Sequence, residues 1–139
     1  MRVLVTGADG FIARNLIVRL GEQTDWEVLR FSRQTPEASL RELVAQADAV
    51  IHLAGVNRPP SPDDFAVGNT GLTELLCEHL NAAGRAIPVI FSSSIQAEMD
   101  NPYGRSKRAA EDALWRYAMA TGAAVHVYRL SNVFGKWCR

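Results

Sequence analysis

The feature that most constrains this chain is an alternation. Short runs rich in β-branched residues take turns with stretches in which apolar residues recur every three or four positions. The runs fall at residues 2–6, 26–32, 49–53, 87–92 and 124–130, each of strand length. Between them, Phe11, Ile12, Leu16, Ile17 and Leu20 mark one face of a helix that Gly21 stops, and Leu40, Leu43, Val44 and Ala47 mark a short helix over 38–47. Asp63 is placed to cap a long helix with Leu72, Leu75, Leu76, Leu80 and Ala83 inward and Gly84 as its end. A further helix is expected from Pro102, a residue suited to a first turn, to about Thr121, with Gly122 after it. The segment 57–62, Asn-Arg-Pro-Pro-Ser-Pro, reads only as loop. Strand–helix alternation of this kind predicts an α/β fold. The expectation is one domain over residues 1–139, a doubly wound parallel sheet of about five strands in the order 2-1-3-4-5. Ligands of such sheets bind beyond the carboxyl ends of the strands, where the order reverses.

Composition narrows the partners. Fifteen Lys and Arg balance fifteen Asp and Glu, so there is no electrostatic reason to expect nucleic acid or an acidic membrane. No apolar stretch approaches the roughly 20 residues of a membrane span. Met1 leads directly into Val3–Val5 without a basic segment or cleavage site, so no signal peptide is expected and the location expected is cytoplasmic. Cys77 and Cys138 form neither a disulfide framework nor a metal spacing, and read as a buried helix thiol and a thiol near the tail. His52, His79 and His126 are dispersed, which leaves a metal site without support; His52 reads as a packed strand residue.

Four motifs fall at strand ends. The first, Thr6-Gly7-Ala8-Asp9-Gly10-Phe11-Ile12-Ala13, joins a strand to a helix. Gly7 allows the tight turn, Gly10 lets backbone approach a pyrophosphate, and the helix N-terminus offers amides to the anion. Ala13 takes the third small position and still permits close helix–strand packing. The second is Arg30-Phe31-Ser32-Arg33. A domain that binds NAD usually puts an acid here for the ribose 2′-hydroxyl, whereas this chain has Ser32 and Arg33 and no carboxylate before Glu37. An arginine suits a 2′-phosphate, so NADP(H) is expected over NAD(H), with NAD(H) still open. The third, His52-Leu53-Ala54-Gly55-Val56-Asn57, has small residues at Ala54 and Gly55 that leave room for a ribose and phosphates.

The fourth carries the chemistry: Phe91-Ser92-Ser93-Ser94, then Tyr103-Gly104-Arg105-Ser106-Lys107 opening a helix. Tyr103 and Lys107 are four apart and share one helix face. A phenol of pKa about 10 is a poor acid–base group near neutrality, and an adjacent ammonium is expected to lower it. A serine hydroxyl at the strand end can hold a substrate oxygen. No Gly-x-Ser-x-Gly elbow is present, which sets a hydrolase aside.

Taken together, these strings resemble the extended short-chain dehydrogenase/reductases, the NAD(P)-dependent epimerase/dehydratase family of sugar nucleotides, over the whole chain. The resemblance implies a Rossmann-type NAD(P)-binding domain in which Ser94, Tyr103 and Lys107 are catalytic. It further implies that Tyr103 exchanges the proton and that Lys107 also bonds the nicotinamide ribose. Cofactor contacts are implied for Gly7, Asp9, Gly10, Phe11, Ile12, Ser32, Arg33, Leu53, Ala54, Gly55, Asn69 and Leu130, and Asn132 is implied to face the substrate. The strings His-Leu-Ala-Gly-Val-Asn-Arg-Pro, Ser-Ser-Ser-Ile-Gln-Ala, Asp-Asn-Pro-Tyr-Gly and Asn-Val-Phe-Gly-Lys-Trp-Cys are similar to a narrower branch, bacterial capsular-polysaccharide enzymes of UDP-N-acetyl-L-fucosamine formation. Two departures from the wider family fit that branch: only eight residues separate Ser94 from Tyr103, and an element pair with the aspartate that covers the adenine is missing before His52. That branch implies NADPH-dependent reduction of a UDP-4-keto-6-deoxy-hexosamine, a nucleotide-sugar partner and a homo-oligomer. It also implies that substrate-binding and cupin parts are absent after Arg139, so that this chain is inactive alone. A generic NAD-dependent epimerase/dehydratase and a cofactor-binding module without turnover remain as alternatives.

Overall fold

The computed structural model describes residues 1–57 and 59–138. In chain order the elements are β1 (Arg2–Thr6), α1 (Phe11–Leu20), β2 (Glu27–Phe31), α2 (Ser39–Gln46), β3 (Ala49–His52), α3 (Leu72–Ala82), β4 (Val89–Ser94), α4 (Pro102–Thr121) and β5 (Val125–Leu130). The five strands form one sheet in the order β2-β1-β3-β4-β5, every pair parallel. Alternation and order are those expected from the sequence.

Because side chains alternate across a strand, each strand feeds two cores. Leu4, Leu29, Val50, Val89 and Phe91 point to one face, where α2, α3 and α4 bury Leu40, Val44, Leu76, Leu80, Leu114 and Tyr117 against them. Val3 and Val5 point to the other, where α1 supplies Ala13, Ile17 and Leu20. That second face is covered over β1 but not over the β4–β5 edge: Ile90 is 38% and Tyr128 56% exposed.

Helix limits follow local chemistry. Asn101 caps α4, its side-chain oxygen accepting from Gly104 N at 2.7 Å, with Pro102 in the first turn. Gly122 ends α4 in the left-handed region, φ 73°. Two expectations need correction. Asp63 does not cap α3: Ser61 and Asp64 fold a local turn there (Ser61 N to Asp64 Oδ2, 3.3 Å), and a π-helical turn over Ala66–Gly71 precedes α3. The fourth strand begins later than 87 and runs on to 94. Pro88 has no N–H to give the ladder, while Ser92, Ser93 and Ser94 pair with Tyr128, Arg129 and Leu130. Arg58, within the expected loop, and Arg139 lie outside the described residues.

No helix among the described residues is long and apolar enough to cross a membrane. Nor do the described residues include a group of three or more His, Cys, Asp or Glu able to hold a metal. Cys77 is buried and Cys138 exposed; burial pushes the Cys77 thiol up to about 12, which makes it inert.

Candidate active site

The first motif forms the turn that its glycines require. Gly7 sits at φ +66°, and a Cβ there would come 2.7 Å from the backbone of Ala54. The loop after β1 and the end of β3 are therefore in backbone contact, a packing only glycine permits. Gly10 caps α1 without a side-chain bond, and the first turn of α1 holds no acidic residue. The amides at the start of α1 thus have no side-chain cap. Asp9 and Gly10 are exposed, Phe11 and Ile12 half-buried.

At the end of β2, residues 32–35 close a tight turn: Thr35 N donates to Ser32 O (3.0 Å) and Ser32 N to Thr35 Oγ1 (3.1 Å). Arg33 is exposed on it. Leu53, Ala54 and Gly55 follow β3. A Cβ on Gly55 would lie 2.8 Å from Asn69 Oδ1 and 3.6 Å from Lys107 Nζ, so this stretch runs directly under the α4 side chains.

Ser94 is the last residue of β4, and Tyr103 and Lys107 occupy the first two turns of α4. The helix comes this close because position 104 is glycine: a Cβ there would overlap the carbonyl oxygens of Gln96 and Met99. Lys107 is only 5% exposed. Its Nζ donates to Ser92 O at 2.8 Å and lies 4.5 Å from the centre of the Phe91 ring. Burial lowers it to about 8, with the Glu111 carboxylate opposing. The expected depression of Tyr103 by this ammonium is not what the structure gives. Lys107 is turned to Ser92, and burial raises Tyr103 above its ordinary value, the neighbouring Ser94 hydroxyl pulling the other way. Tyr103 is accordingly a protonated phenol near neutrality.

Asn69 is buried with its side chain committed to protein. Oδ1 accepts from Val56 N (2.8 Å), while Nδ2 donates to Val56 O (3.0 Å) and Ser106 Oγ (2.9 Å). It shapes the loop after β3 and ties it to α4. Leu130 closes β5, and exposed Asn132 follows it. From there the chain folds back onto α1, where Asn15 Nδ2 donates to Lys136 O (2.8 Å) and the Arg14 guanidinium lies over Trp137. The singled-out residues thus form two groups. Ser94, Tyr103, Lys107, Gly55 and Asn69 are together, whereas Ser32 and Arg33 stand three strands away. At strand spacing that is about 14 Å.

One set of residues escaped the sequence reading. Glu111 is 3% exposed and takes hydrogen bonds from Ser93 Oγ and from Arg129 through Nε (3.0 Å) and Nη2 (2.7 Å). Arg129 also reaches Glu98 at 2.8 Å. Burial pushes the Glu111 carboxyl up, but the bonds from Arg129 and Ser93 outweigh it and hold it below the usual range. This clamp joins β4, α4 and β5 immediately behind Ser94 and Lys107. Its one sequence signal is that Glu111 stands four residues after Lys107, on the same helix face.

The chain matches the NAD dependent epimerase/dehydratase family over residues 3–139. It is 52% identical over 139 residues to UDP-2-acetamido-2,6-beta-L-arabino-hexul-4-ose reductase of Pseudomonas aeruginosa, covering all of this chain and 37% of that one. The crystal structure of capsular polysaccharide assembling protein CapF from Staphylococcus aureus superposes with TM-score 0.87 and 41% identity over all of this chain and 38% of that one. RMD from Pseudomonas aeruginosa, complexed with NADPH, superposes with TM-score 0.76 and 28% identity, over 95% of this chain and 55% of that one. The chain therefore spans well under half the length of the first two.

Proposed function

Because the chain belongs to the NAD dependent epimerase/dehydratase family, we propose that it is the dinucleotide-binding, reducing domain of an NADPH-dependent reductase acting on a UDP-linked 4-keto-6-deoxy-hexosamine. The observation that carries the reading is the convergence of Ser94, Tyr103 and Lys107 beside Gly55 at the carboxyl ends of the central strands, next to a glycine turn and an uncapped helix N-terminus. Sugar-nucleotide reduction is the activity of the Pseudomonas relative by its name, and NADPH is the ligand of the RMD structure.

The residues present fit a dinucleotide. The α1 amides and Gly10 suit its pyrophosphate, and the Lys107 ammonium beside Gly55 suits the ribose that follows. Arg33, about 14 Å away by strand count, suits a phosphate on the adenosine side. When bound, the reduced nicotinamide supplies hydride to the carbonyl carbon. Ser94 Oγ holds the carbonyl oxygen by a hydrogen bond. Tyr103 Oη donates its proton to that oxygen as it becomes an alkoxide, which its protonated state allows. Lys107 has three N–H donors and spends one on Ser92 O, leaving two for ribose hydroxyls. Asn132, exposed two residues beyond β5, is assigned to the sugar.

The cofactor choice is tested by Arg33→Ala. Loss of a charge-assisted contact to a 2′-phosphate should weaken NADPH about tenfold to a hundredfold and leave NADH within about twofold of the parent chain. Equal losses for the two would make Arg33 a surface residue and remove the preference for NADPH. The sugar is tested by NADPH consumption with the UDP-linked ketone in the full-length gene product; no consumption counts against the substrate assignment.

A further inference from the structure

Among the described residues, the proposed chemistry leaves the wholly buried His52 without a role. His52, the last residue of β3, has no exposed surface and stacks on Phe91 with ring centroids 5.3 Å apart. Its two nitrogens meet two threonines: Nδ1 lies 2.6 Å from Thr6 Oγ1 and Nε2 lies 2.9 Å from Thr73 Oγ1.

The protons of this chain can be placed one at a time. Thr73 has a single hydroxyl hydrogen and donates it to Asn69 O at 2.7 Å; without it two bare oxygens would face each other at that distance. Toward His52 the Thr73 hydroxyl can then only accept, so Nε2 carries the hydrogen. In a neutral imidazole this leaves Nδ1 bare, and it accepts from the Thr6 hydroxyl. The Thr6 oxygen keeps a lone pair, which accepts from Ala54 N at 3.2 Å. Burial, with the charge of Lys107 adding to it, pushes His52 down to about 3, so the ring stays neutral. Every polar atom of the set is satisfied in this one tautomer.

The ends of the relay are what give it consequence. At one end Thr6 immediately precedes Gly7, whose packing against Ala54 sets the glycine turn. At the other, Thr73 grips the carbonyl of Asn69, whose amide donates to Ser106 Oγ, and Ser106 donates to the Tyr103 carbonyl at 2.8 Å. Hydrogen bonds thus link the residue before the glycine turn to Asn69, and through the Asn69 side chain to the helix that carries Tyr103 and Lys107.

We propose that His52 is a positioning residue, locked with hydrogen on Nε2, that holds the glycine turn, the loop after β3 and the start of α4 at the spacing a bound dinucleotide requires. The proposal rests on the cofactor reading above. Two measurements on the 139-residue chain test it. Nitrogen NMR of labelled histidine at pH 7 should show His52 protonated at Nε2 and bare at Nδ1; the opposite tautomer overturns the relay. Thr73→Val keeps the shape but can neither accept from Nε2 nor donate to Asn69 O, and should weaken NADPH about tenfold or more through the loss of these two buried hydrogen bonds. Thr73→Ser keeps the hydroxyl and should restore affinity to within about twofold of the parent. Parental affinity in the valine variant, or equal loss in the serine variant, overturns the positioning role alone. A parent chain that binds neither NADPH nor NADH overturns the cofactor reading and the role together.

Discussion

Tyr103→Phe is expected to lower the rate of carbonyl reduction by about a thousandfold while NADPH affinity stays within about twofold of the parent. The substitution removes one oxygen and keeps the ring that packs against Phe65, centroids 5.5 Å apart, so neither fold nor cofactor cleft has reason to change. What disappears is the phenol beside Ser94, which has a proton to give at neutral pH. Burial raises Tyr103 above the ordinary phenol value, so the parent side chain starts each turnover as an acid. Rate and affinity would be measured separately on the full-length gene product. Retained turnover would mean that the proton comes from elsewhere.

Lys107→Met is expected to do something less usual: to stabilise the fold while it removes function. The ammonium is held at about 8 against an ordinary 10.5, chiefly by burial. A lowered lysine is a charge that the folded state tolerates poorly. Below pH 8 both folded and unfolded chains carry the charge, and the full desolvation cost falls on the folded one. As pH climbs from 8 toward 10.5 the folded chain sheds the proton first, so the parent gains stability across that window. A shift of this size corresponds to about 3 kcal/mol. The lost bond to Ser92 O takes back about 1 kcal/mol, and the variant should be about 2 kcal/mol more stable at pH 7. Near pH 10.5 the advantage should be gone. Denaturant melts at the two pH values measure this, and a methionine variant less stable at pH 7 would show that the ammonium is well solvated. Turnover should fall more than about a hundredfold in the same variant, since the N–H donors that would hold the ribose are gone. A stability cost of this kind at Lys107 would fit the proposed role in chemistry.

How much of this was legible in the sequence depends on how local each feature is. Strand order followed from alternation, because parallel strands need crossovers and crossovers have one hand. Asn101, Pro102 and Gly122 bound α4 through contacts a few residues long, and Gly7 announced its turn by its own backbone freedom. The features that were missed depend on distant partners. Asp63 looked like a cap until Ser61 and Asp64 closed their own turn. The serine run looked like an exit from β4, whereas β5 extends the ladder under it. Tyr103 looked depressed by Lys107 because helical spacing places them on one face; only the fold reveals that the ammonium has Ser92 O to satisfy. The Glu111–Arg129 clamp and the His52 relay join residues 18 to 46 positions apart, and no periodicity in one element records such a meeting.

The claim on which the rest depends is that this chain holds NADPH across the carboxyl ends of its strands. Calorimetric titration of the 139-residue chain with NADPH and, separately, with NADH tests it most directly. Saturable, micromolar NADPH binding and markedly weaker NADH binding are expected. Heat from neither cofactor would contradict that claim and remove the reading of Ser94, Tyr103 and Lys107 as a reducing site.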